Sequence, residues 1–295
     1  MFHDSPKVKI LNILLPALIY LGAGAIAEFL GVLYGYLWRP DQVPPGFFTY
    51  LSYAHMKGEA VLLLIRAALC IPIFIWLYRK DGIRIDAEIY RQRSVKERPE
   101  FFEKKRVSVK EMLFSLLSGA GLSLFLNLAF RLAGISYTGA VSGLYQEGSG
   151  TVLSFVCLLI LNLLIGPVLE ELMHRGLVYR RMRTYSLRIA AILVSSLIFG
   201  LLHGDLIAGS YAFILGIVLA DVYEWTGSLL CSVLCHLAAN AGAVLISAVS
   251  SVNRLVSANS VVFLIAGGLV FALGFLGLVI KTSPLFFRGS SKGDT

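Results

Sequence analysis

Eight long runs of apolar residues, separated by shorter polar segments, dominate the sequence. A membrane-spanning α-helix needs about 18 or more consecutive, mainly apolar residues, and the runs reach this length, although the fifth is short. The polar segments between them contain prolines, glycines and serines, which are typical of loops. The pattern predicts an all-α, polytopic integral membrane protein with about eight transmembrane helices. Their expected spans are 10–38, 60–79, 108–131, 152–179, 188–205, 207–224, 228–248 and 260–281.

The composition agrees with a membrane protein and excludes an ordinary soluble domain. Of the 295 residues, 57% are hydrophobic and 15% are charged, whereas soluble domains contain about 45–50% apolar and 25% charged residues. The first apolar run exceeds the roughly 7–15 apolar residues of a signal-peptide core. We therefore predict that this run is retained as the first membrane span.

Basic residues concentrate in one set of polar segments, and this asymmetry predicts an orientation. The formal net charge is +8, and half of this excess lies in the loop at 79–107. Lys and Arg mark the cytoplasmic side, so we predict both termini in the cytoplasm and a location in the cell membrane. The stretch 84–106 is compatible with a helix lying in the membrane interface. No pattern of a nucleic-acid-binding module accompanies the charge, so the expected partner is the lipid bilayer and not nucleic acid.

The most unusual polar cluster within an apolar run is GPVLEELMHR, residues 166–175. An ionisable residue inside a span costs roughly 2.5–3.5 kcal/mol on insertion scales, so it is a functional-site hypothesis by default. Glu171 and Arg175 stand four residues apart with the acid first, the favoured order for a helical ion pair. Neighbouring residues differ by about 100° around a helix, so we predict that Glu170 faces another direction, towards the protein interior, and is a candidate base. The alternative is a structural salt-bridge cluster, and the Gly-Pro pair that opens it predicts a kink.

Two further motifs place histidines inside apolar runs. FGLLH puts Phe199 and His203 one helical turn apart on the fifth predicted span, and HLAAN puts His236 and Asn240 on one face of the seventh. The second pair can donate two hydrogen bonds to one oxygen, which is what an oxyanion needs. The alternatives are a packing histidine in the first motif and a helix–helix polar contact in the second. Asp205, beside His203, either orients the histidine ring or faces water.

Two other charged residues, Glu28 and Arg66, fall inside the first and second apolar runs. Charged side chains within spans tend to pair with one another. We predict that Glu28 and Arg66 form an ion pair between the first two helices, with a structural role.

Taken together, EELMHR, FGLLH and HLAAN resemble the three motifs of the CPBP family of intramembrane proteases. That family includes the type II CAAX prenyl endopeptidases and the bacterial abortive-infection-like (Abi) membrane proteins. Its pattern is EExxxR, then FxxxH, then HxxxN or HxxxD, on separate transmembrane helices. The flanking sequences GLVYRRM and TGSLL are similar too. The resemblance divides the chain into helices one to three at 1–151, a catalytic core of helices four to seven at 152–249, and a last helix with a cytoplasmic tail at 250–295.

The resemblance implies an intramembrane endopeptidase and a role for each motif residue. Glu170 and His203 would activate the attacking water, while His236 and Asn240 would stabilise the oxyanion. Glu171 and Arg175 would shape the site. We include Glu171 among the predicted catalytic residues, and we predict that Arg175 and Phe199 give structural support.

The residues of the three motifs also fit a metalloprotease. Glu170, His203 and His236 are a three-ligand set of the kind that binds catalytic zinc, and the family has been called both metalloprotease and glutamic protease. We favour glutamate–histidine chemistry with no obligatory cofactor. His174 departs from the family pattern, in which this position is usually aromatic or apolar. It fits a further ligand, a proton relay or a neutral substitution.

The expected substrates are membrane-associated peptides or proteins. They are prenylated CAAX tails or, in a bacterium, a leader, pheromone or bacteriocin-type peptide. The main alternative function is a non-proteolytic scaffold or immunity protein that binds a peptide or a sensor through the same residues. A transporter with a proton relay is a second alternative, weakened because no inverted repeat is apparent.

Overall fold

The computed structural model describes residues 5–38, 61–82, 107–135 and 159–282. Within these ranges every regular element is a helix and no strand occurs, which confirms the all-α prediction. Nearly all of the basic loop 79–107, with its predicted interfacial helix, lies outside the described residues. The helices are α1 (Pro6–Trp38), α2 (Val61–Gly82), α3 (Val109–Leu132), α4 (159–183), α5 (Arg188–Leu201), α6 (Leu206–Thr226), α7 (Leu229–Ala248), α8 (Ser250–Ala258) and α9 (Ser260–Thr282).

Six of the described helices, α1, α2, α3, α6, α7 and α9, are long and apolar enough to cross a membrane. The chain is therefore an integral membrane protein, and the predicted number of eight spans is approximate. The first 7 residues of the fourth predicted span lie outside the described residues, and the rest form the irregular helix α4. Helix α5 has 14 residues, or about 21 Å at 1.5 Å per residue, which is short of a bilayer core of about 30 Å.

The chain divides into two compact units. The first unit comprises Met1–Ile83 and Ala140–Tyr185, and the second comprises Arg84–Gly139 and Ser186–Thr295. Among the described helices, α1, α2 and α4 belong to the first unit, and α3 with α5 to α9 belong to the second.

In the first unit, Arg181 at the end of α4 ties this helix to α1 and α2. Its Nε donates to Asp81 Oδ2 of α2 at 2.6 Å, and its Nη1 donates to the backbone carbonyl of Asn12 in α1 at 2.5 Å. Both side chains of the ion pair are buried. Arg180, the neighbouring residue, stacks over the ring of Tyr78 at 4.6 Å. These contacts fix the end of α4, which follows the EELMHR motif, against both other helices.

The contacts described for Arg66 differ from the sequence prediction. Arg66 Nη1 donates a hydrogen bond to Tyr20 Oη at 3.1 Å, and the guanidinium lies 4.8 Å from the centre of the Tyr20 ring. An ion pair with Glu28 is not among the contacts described for Arg66. In the described contacts, the partner of Arg66 on α1 is therefore Tyr20 and not the predicted Glu28.

In the second unit, α3 lies against α9 and α7 through small residues. A Cβ placed on Gly121 would lie 2.3 Å from the backbone nitrogen of Phe271, and one on Gly274 would lie 2.5 Å from that of Ser118. Close backbone approach at small residues is the usual way in which helices associate in lipid. Helix α3 begins at a capping box, in which Ser108 and Glu111 exchange side-chain and backbone hydrogen bonds.

The tightest of these contacts gives a stability prediction. A Cβ on Gly119 of α3 would lie 1.9 Å from the backbone carbonyl oxygen of Cys235 in α7, so Gly119→Ala must push two helices apart. We expect the free energy of unfolding to fall by about 1–3 kcal/mol, as for other overpacked positions. The matched control is Gly22→Ala, because a Cβ there would meet nothing within 4 Å. Equal melting temperatures for the two variants in detergent would contradict the close α3–α7 approach.

Candidate active site

Helix α4 carries EELMHR, whose first four residues lie in a regular stretch and whose last two begin a wide turn. The backbone forms a π turn over Leu161–Ile165, a regular α-helix over Gly166–Met173, and a second π turn over His174–Tyr179. The amide of Gly166 bonds to the carbonyl of Leu161, five residues earlier. Pro167 lies just inside the regular stretch and has no N–H to donate to the helical hydrogen bonds. The sequence predicts a kink at the Gly-Pro pair, and the structure has a wide π turn directly before it. Such turns occur often at functional sites.

Glu171 and Arg175 form the ion pair that their spacing predicts. Arg175 Nη1 donates to Glu171 Oε1 at 2.7 Å, and both side chains are 0% exposed. Each of the two buried charges stabilises the other, because burying an isolated charge away from water costs several kcal/mol of free energy. Glu170, the neighbouring residue, is half-buried and interacts electrostatically with Tyr20 of α1. The two adjacent glutamates therefore have different surroundings, but the fully buried one is Glu171 and not Glu170, the residue that we predicted to face the protein interior.

His174 is held by the backbone of its own helix. Its Nδ1 lies 2.9 Å from the backbone carbonyl oxygen of Glu170, and the side chain is 1% exposed. A carbonyl oxygen can only accept a hydrogen bond, so Nδ1 carries the proton and donates it. The histidine that departs from the family pattern thus braces the helical turn that carries Glu170.

His203 lies in a turn after α5 and not within the helix, which corrects the predicted span 188–205. Helix α5 ends at Leu201. Gly204 then adopts a φ of +88°, a conformation that suits glycine, and Asp205 begins the next helix. The Asp205 carboxylate accepts from the amides of Ile207 and Ala208 at 2.8 and 2.9 Å. Asp205 is therefore an N-cap of α6, a role beyond the two that we predicted for it. Its side chain is exposed, which agrees with the second of the two predicted alternatives, that it faces water.

The turn that carries His203 follows a close approach of two helices. A Cβ on Gly200 of α5 would lie 2.7 Å from the carbonyl oxygen of Gly209 in α6, and a Cβ on Gly209 would lie 2.9 Å from that of Gly200. The two backbones can meet this closely only because neither residue has a side chain. This contact lies one residue before the end of α5 at Leu201, next to the turn that contains His203.

His203 is also tied to the backbone, and this bond sets which ring nitrogen carries the proton. Its Nδ1 lies 2.7 Å from the backbone carbonyl of Phe199. Because the carbonyl only accepts, Nδ1 is the donor, and the neutral ring keeps its lone pair on Nε2. The Nε2 atom of His203 is thus the one able to take a proton or bind a metal.

Phe199 brings the second and third motifs together. Its ring is 0% exposed and stands edge-on to two histidines, with ring centres 4.5 Å from His203 and 5.7 Å from His236. Asn240 follows His236 by one turn on α7 and is half-buried. The FxxxH spacing indicates the first contact, but the contact with His236 depends on tertiary packing that no local pattern contains.

The predicted residues fall into two groups, each described within its own unit. Glu170, Glu171 and Arg175 belong to the first unit, while the residues of FGLLH and HLAAN belong to the second. Among the described residues, no group of three or more His, Cys, Asp or Glu side chains is placed to hold a metal ion. The possible zinc set takes members from both units, so the prediction of chemistry without an obligatory metal stays a prediction, and so does the zinc alternative.

One family model matches the chain. The model described as type II CAAX prenyl endopeptidase, Rce1-like, covers residues 152–242, about a third of the chain. The matched segment contains all three motifs, which confirms the resemblance drawn from them. No curated protein and no solved structure matches the chain.

Proposed function

We propose that this membrane protein is an intramembrane endopeptidase, because residues 152–242 match the family model described as type II CAAX prenyl endopeptidase, Rce1-like. It hydrolyses a peptide bond of a membrane-associated peptide or protein. The observation that carries the proposal is the presence of EExxxR, FxxxH and HxxxN, in this order, within one family match.

Glu170 and His203 are the residues we assign to water activation. Peptide hydrolysis needs a base that takes a proton from the attacking water. Glu171 forms a buried ion pair with Arg175. This pairing favours the other glutamate, Glu170, as the carboxylate that accepts the proton from water. His203 supports this role, since its Nδ1 bond to Phe199 leaves the Nε2 lone pair for a second hydrogen bond to the water.

His236 and Asn240 are the residues we assign to the oxyanion. When the water oxygen bonds to the carbonyl carbon, negative charge develops on the carbonyl oxygen and requires fixed donors. The two side chains follow one another by one turn on α7, and the buried Phe199 ring packs against His236. Collapse of the tetrahedral species breaks the C–N bond, and the proton taken from water passes to the leaving amine.

The residue types of the predicted set also suit zinc, although among the described residues they are not placed together to hold a metal ion and the chemistry above does not depend on one. Glu170, His203 and His236 supply one carboxylate and two imidazoles, a known catalytic ligand combination. The lone pair on His203 Nε2 suits this role as well. A bound zinc would act as a Lewis acid and lower the pKa of a bound water. Dialysis of an active preparation against a chelator, followed by zinc replacement, tests whether activity depends on the ion.

The experiment that tests the proposed function is hydrolysis of a labelled peptide library by the full chain in proteoliposomes. We expect the wild type to release products that mass spectrometry identifies, and Asn240→Ala to lower kcat by about 100- to 1000-fold, as for other oxyanion donors. The control is Asn253→Ala, a position that hydrogen-bonds Arg131 in α3.

Two outcomes would count against the proposed function. Product release no faster than in protein-free liposomes would favour the scaffold or immunity function. Unchanged kcat in Asn240→Ala would remove Asn240 from the oxyanion site.

A further inference from the structure

Arg180, near the end of α4, is a buried cation whose described neighbours are an aromatic ring and a glycine. The residue is 6% exposed, and its guanidinium lies 4.6 Å from the centre of the Tyr78 ring in α2. In the part of the chain that the structure describes, its buried Nε atom has no hydrogen-bond partner. An aromatic ring attracts a cation but does not neutralise it, and burying a charge without a partner is costly. The guanidinium is therefore suited to an anionic ligand.

Asp81, the carboxylate at the end of α2, is paired with the neighbouring arginine. Arg181 Nε donates to Asp81 Oδ2 at 2.6 Å, and both side chains are buried. The same arginine donates to the carbonyl of Asn12 in α1. The start of α1, the end of α2 and the end of α4 therefore meet at this ion pair, and the described partner of Asp81 is Arg181 and not Arg180.

The three helix ends that meet here carry an excess of positive charge. Their described basic residues are Lys7, Lys9, Arg79, Lys80, Arg180, Arg181 and Arg183. Within the same described stretches, Asp81 is the acidic residue. Lys9 stacks over the Tyr185 ring at 5.2 Å, and Lys80 stacks over the Trp76 ring at 4.6 Å. Tyrosine and tryptophan at helix ends are typical of the depth of lipid headgroups, so the positive charge lies where the phosphates of a bilayer lie.

Gly82, at the end of α2, presents no side chain to the guanidinium of Arg180. A Cβ placed on Gly82 would lie 3.7 Å from Arg180 Nη2 and 4.0 Å from Arg180 Nη1. A guanidinium can donate two parallel hydrogen bonds to the oxygens of a phosphate group. A longer side chain at position 82 would compete with such a ligand for the space beside the two Nη atoms.

We infer that Arg180, stacked on Tyr78 beside Gly82, binds the phosphate of an anionic phospholipid. The inference does not depend on the proposed endopeptidase function. The basic excess predicts that this end of the first unit faces the cytoplasm, where the membrane leaflet contains anionic lipids. Phosphatidylcholine has a choline cation beside its phosphate, and the surrounding lysines and arginines repel that cation. The favoured ligand is a phospholipid without a cationic group, such as phosphatidylglycerol.

The test is a competition between two lipids for the full chain. The tagged protein in dodecyl maltoside micelles is incubated with equal amounts of phosphatidylglycerol and phosphatidylcholine, then washed, and the retained lipids are quantified by mass spectrometry. The wash contains about 1 M NaCl, at which a Debye length of about 3 Å screens diffuse attraction by exposed charges. We expect phosphatidylglycerol to be retained in about 10- to 100-fold excess, as for hydrogen bonds to charged groups.

Two variants and a charge-matched control assign this preference to Arg180. In Arg180→Met we expect the retained ratio to fall to about one, and the fold should persist because methionine adapts to buried positions. Gly82→Leu keeps the charge of Arg180 but places a side chain beside its Nη atoms, so the ratio should fall there too. Lys80→Met removes one positive charge from the same end of α2 but leaves Arg180 intact, and it should keep the wild-type ratio.

Three results would overturn the inference. The first is a wild-type ratio near one, and the second is a preference that survives in both Arg180→Met and Gly82→Leu. The third is an equal loss in Arg180→Met and Lys80→Met, which would assign the preference to overall charge and not to a built site.

A last arm distinguishes a lipid phosphate from a free phosphate. A molar excess of inorganic phosphate in the wash should leave the retained phosphatidylglycerol unchanged, because the acyl chains hold the lipid in the micelle beside Arg180. Loss of the phosphatidylglycerol preference in that wash would overturn the lipid assignment in favour of a site for free phosphate. None of these measurements involves peptide hydrolysis, so their outcome leaves the proposed endopeptidase function to its own test.

Discussion

Replacing Glu170 by glutamine is expected to lower the rate of peptide hydrolysis by about 100- to 10,000-fold, the usual contribution of a general base. Glutamine keeps the size of the side chain and cannot take a proton from water. The fold should persist, because the buried ion pair of α4 is made by Glu171 and Arg175 and not by Glu170. Initial rates in proteoliposomes, with the melting temperature measured alongside, separate the loss of chemistry from the loss of structure.

The matched control for Glu170→Gln is Glu28→Gln. Glu28 is a half-buried glutamate in α1, a spanning helix of the same unit, so the substitution removes one intramembrane carboxylate with no assigned role in catalysis. We expect Glu28→Gln to retain hydrolysis within a few-fold of the wild type, whereas His203→Ala should resemble Glu170→Gln. Wild-type rates in Glu170→Gln, or equal losses in both glutamate variants, would contradict the assignment of Glu170 as the base.

The sequence predicts the spanning helices well because lipid imposes a simple rule on them. A segment crossing the bilayer needs about 20 mainly apolar residues, and α1, α2, α3, α6, α7 and α9 follow this rule. Run length says less about where helix ends lie. The predicted fifth span extends to Asp205. Gly204 is, however, a typical residue after a helix end, and Asp205 is a typical N-cap at the start of the next helix. The nine-residue helix α8 was predicted as a loop, because it is too short and too polar for the rule to apply.

The candidate site was predictable where its contacts are local. Glu171 and Arg175 are four residues apart, so the helix period alone brings them together. Phe199 and His236 meet through packing between helices, which no spacing along the chain encodes. Arg66 shows the same limit, since charge complementarity favours Glu28 whereas packing supplies Tyr20 and the gap at Gly24.

The second large effect is expected in stability, from the ion pair between Glu171 and Arg175. Both side chains are 0% exposed, so Arg175→Met takes the guanidinium away from a carboxylate that water cannot reach. Breaking a buried pair from one side typically costs about 3–5 kcal/mol. We expect a loss of this size in the free energy of unfolding, and a similar loss for Glu171→Leu.

The double variant Glu171→Leu/Arg175→Met distinguishes a charge effect from a packing effect. Removing both partners leaves no isolated charge, and replacing a buried pair by apolar residues of similar volume is often neutral or stabilising. The double variant should therefore recover most of the stability lost by each single variant, measured by denaturant titration in mixed micelles. The control pair is Arg131→Met with Asn253→Ala, which interact at an exposed position and should show little coupling. Additive losses at Glu171 and Arg175 would mean that packing, and not charge compensation, holds this turn of α4.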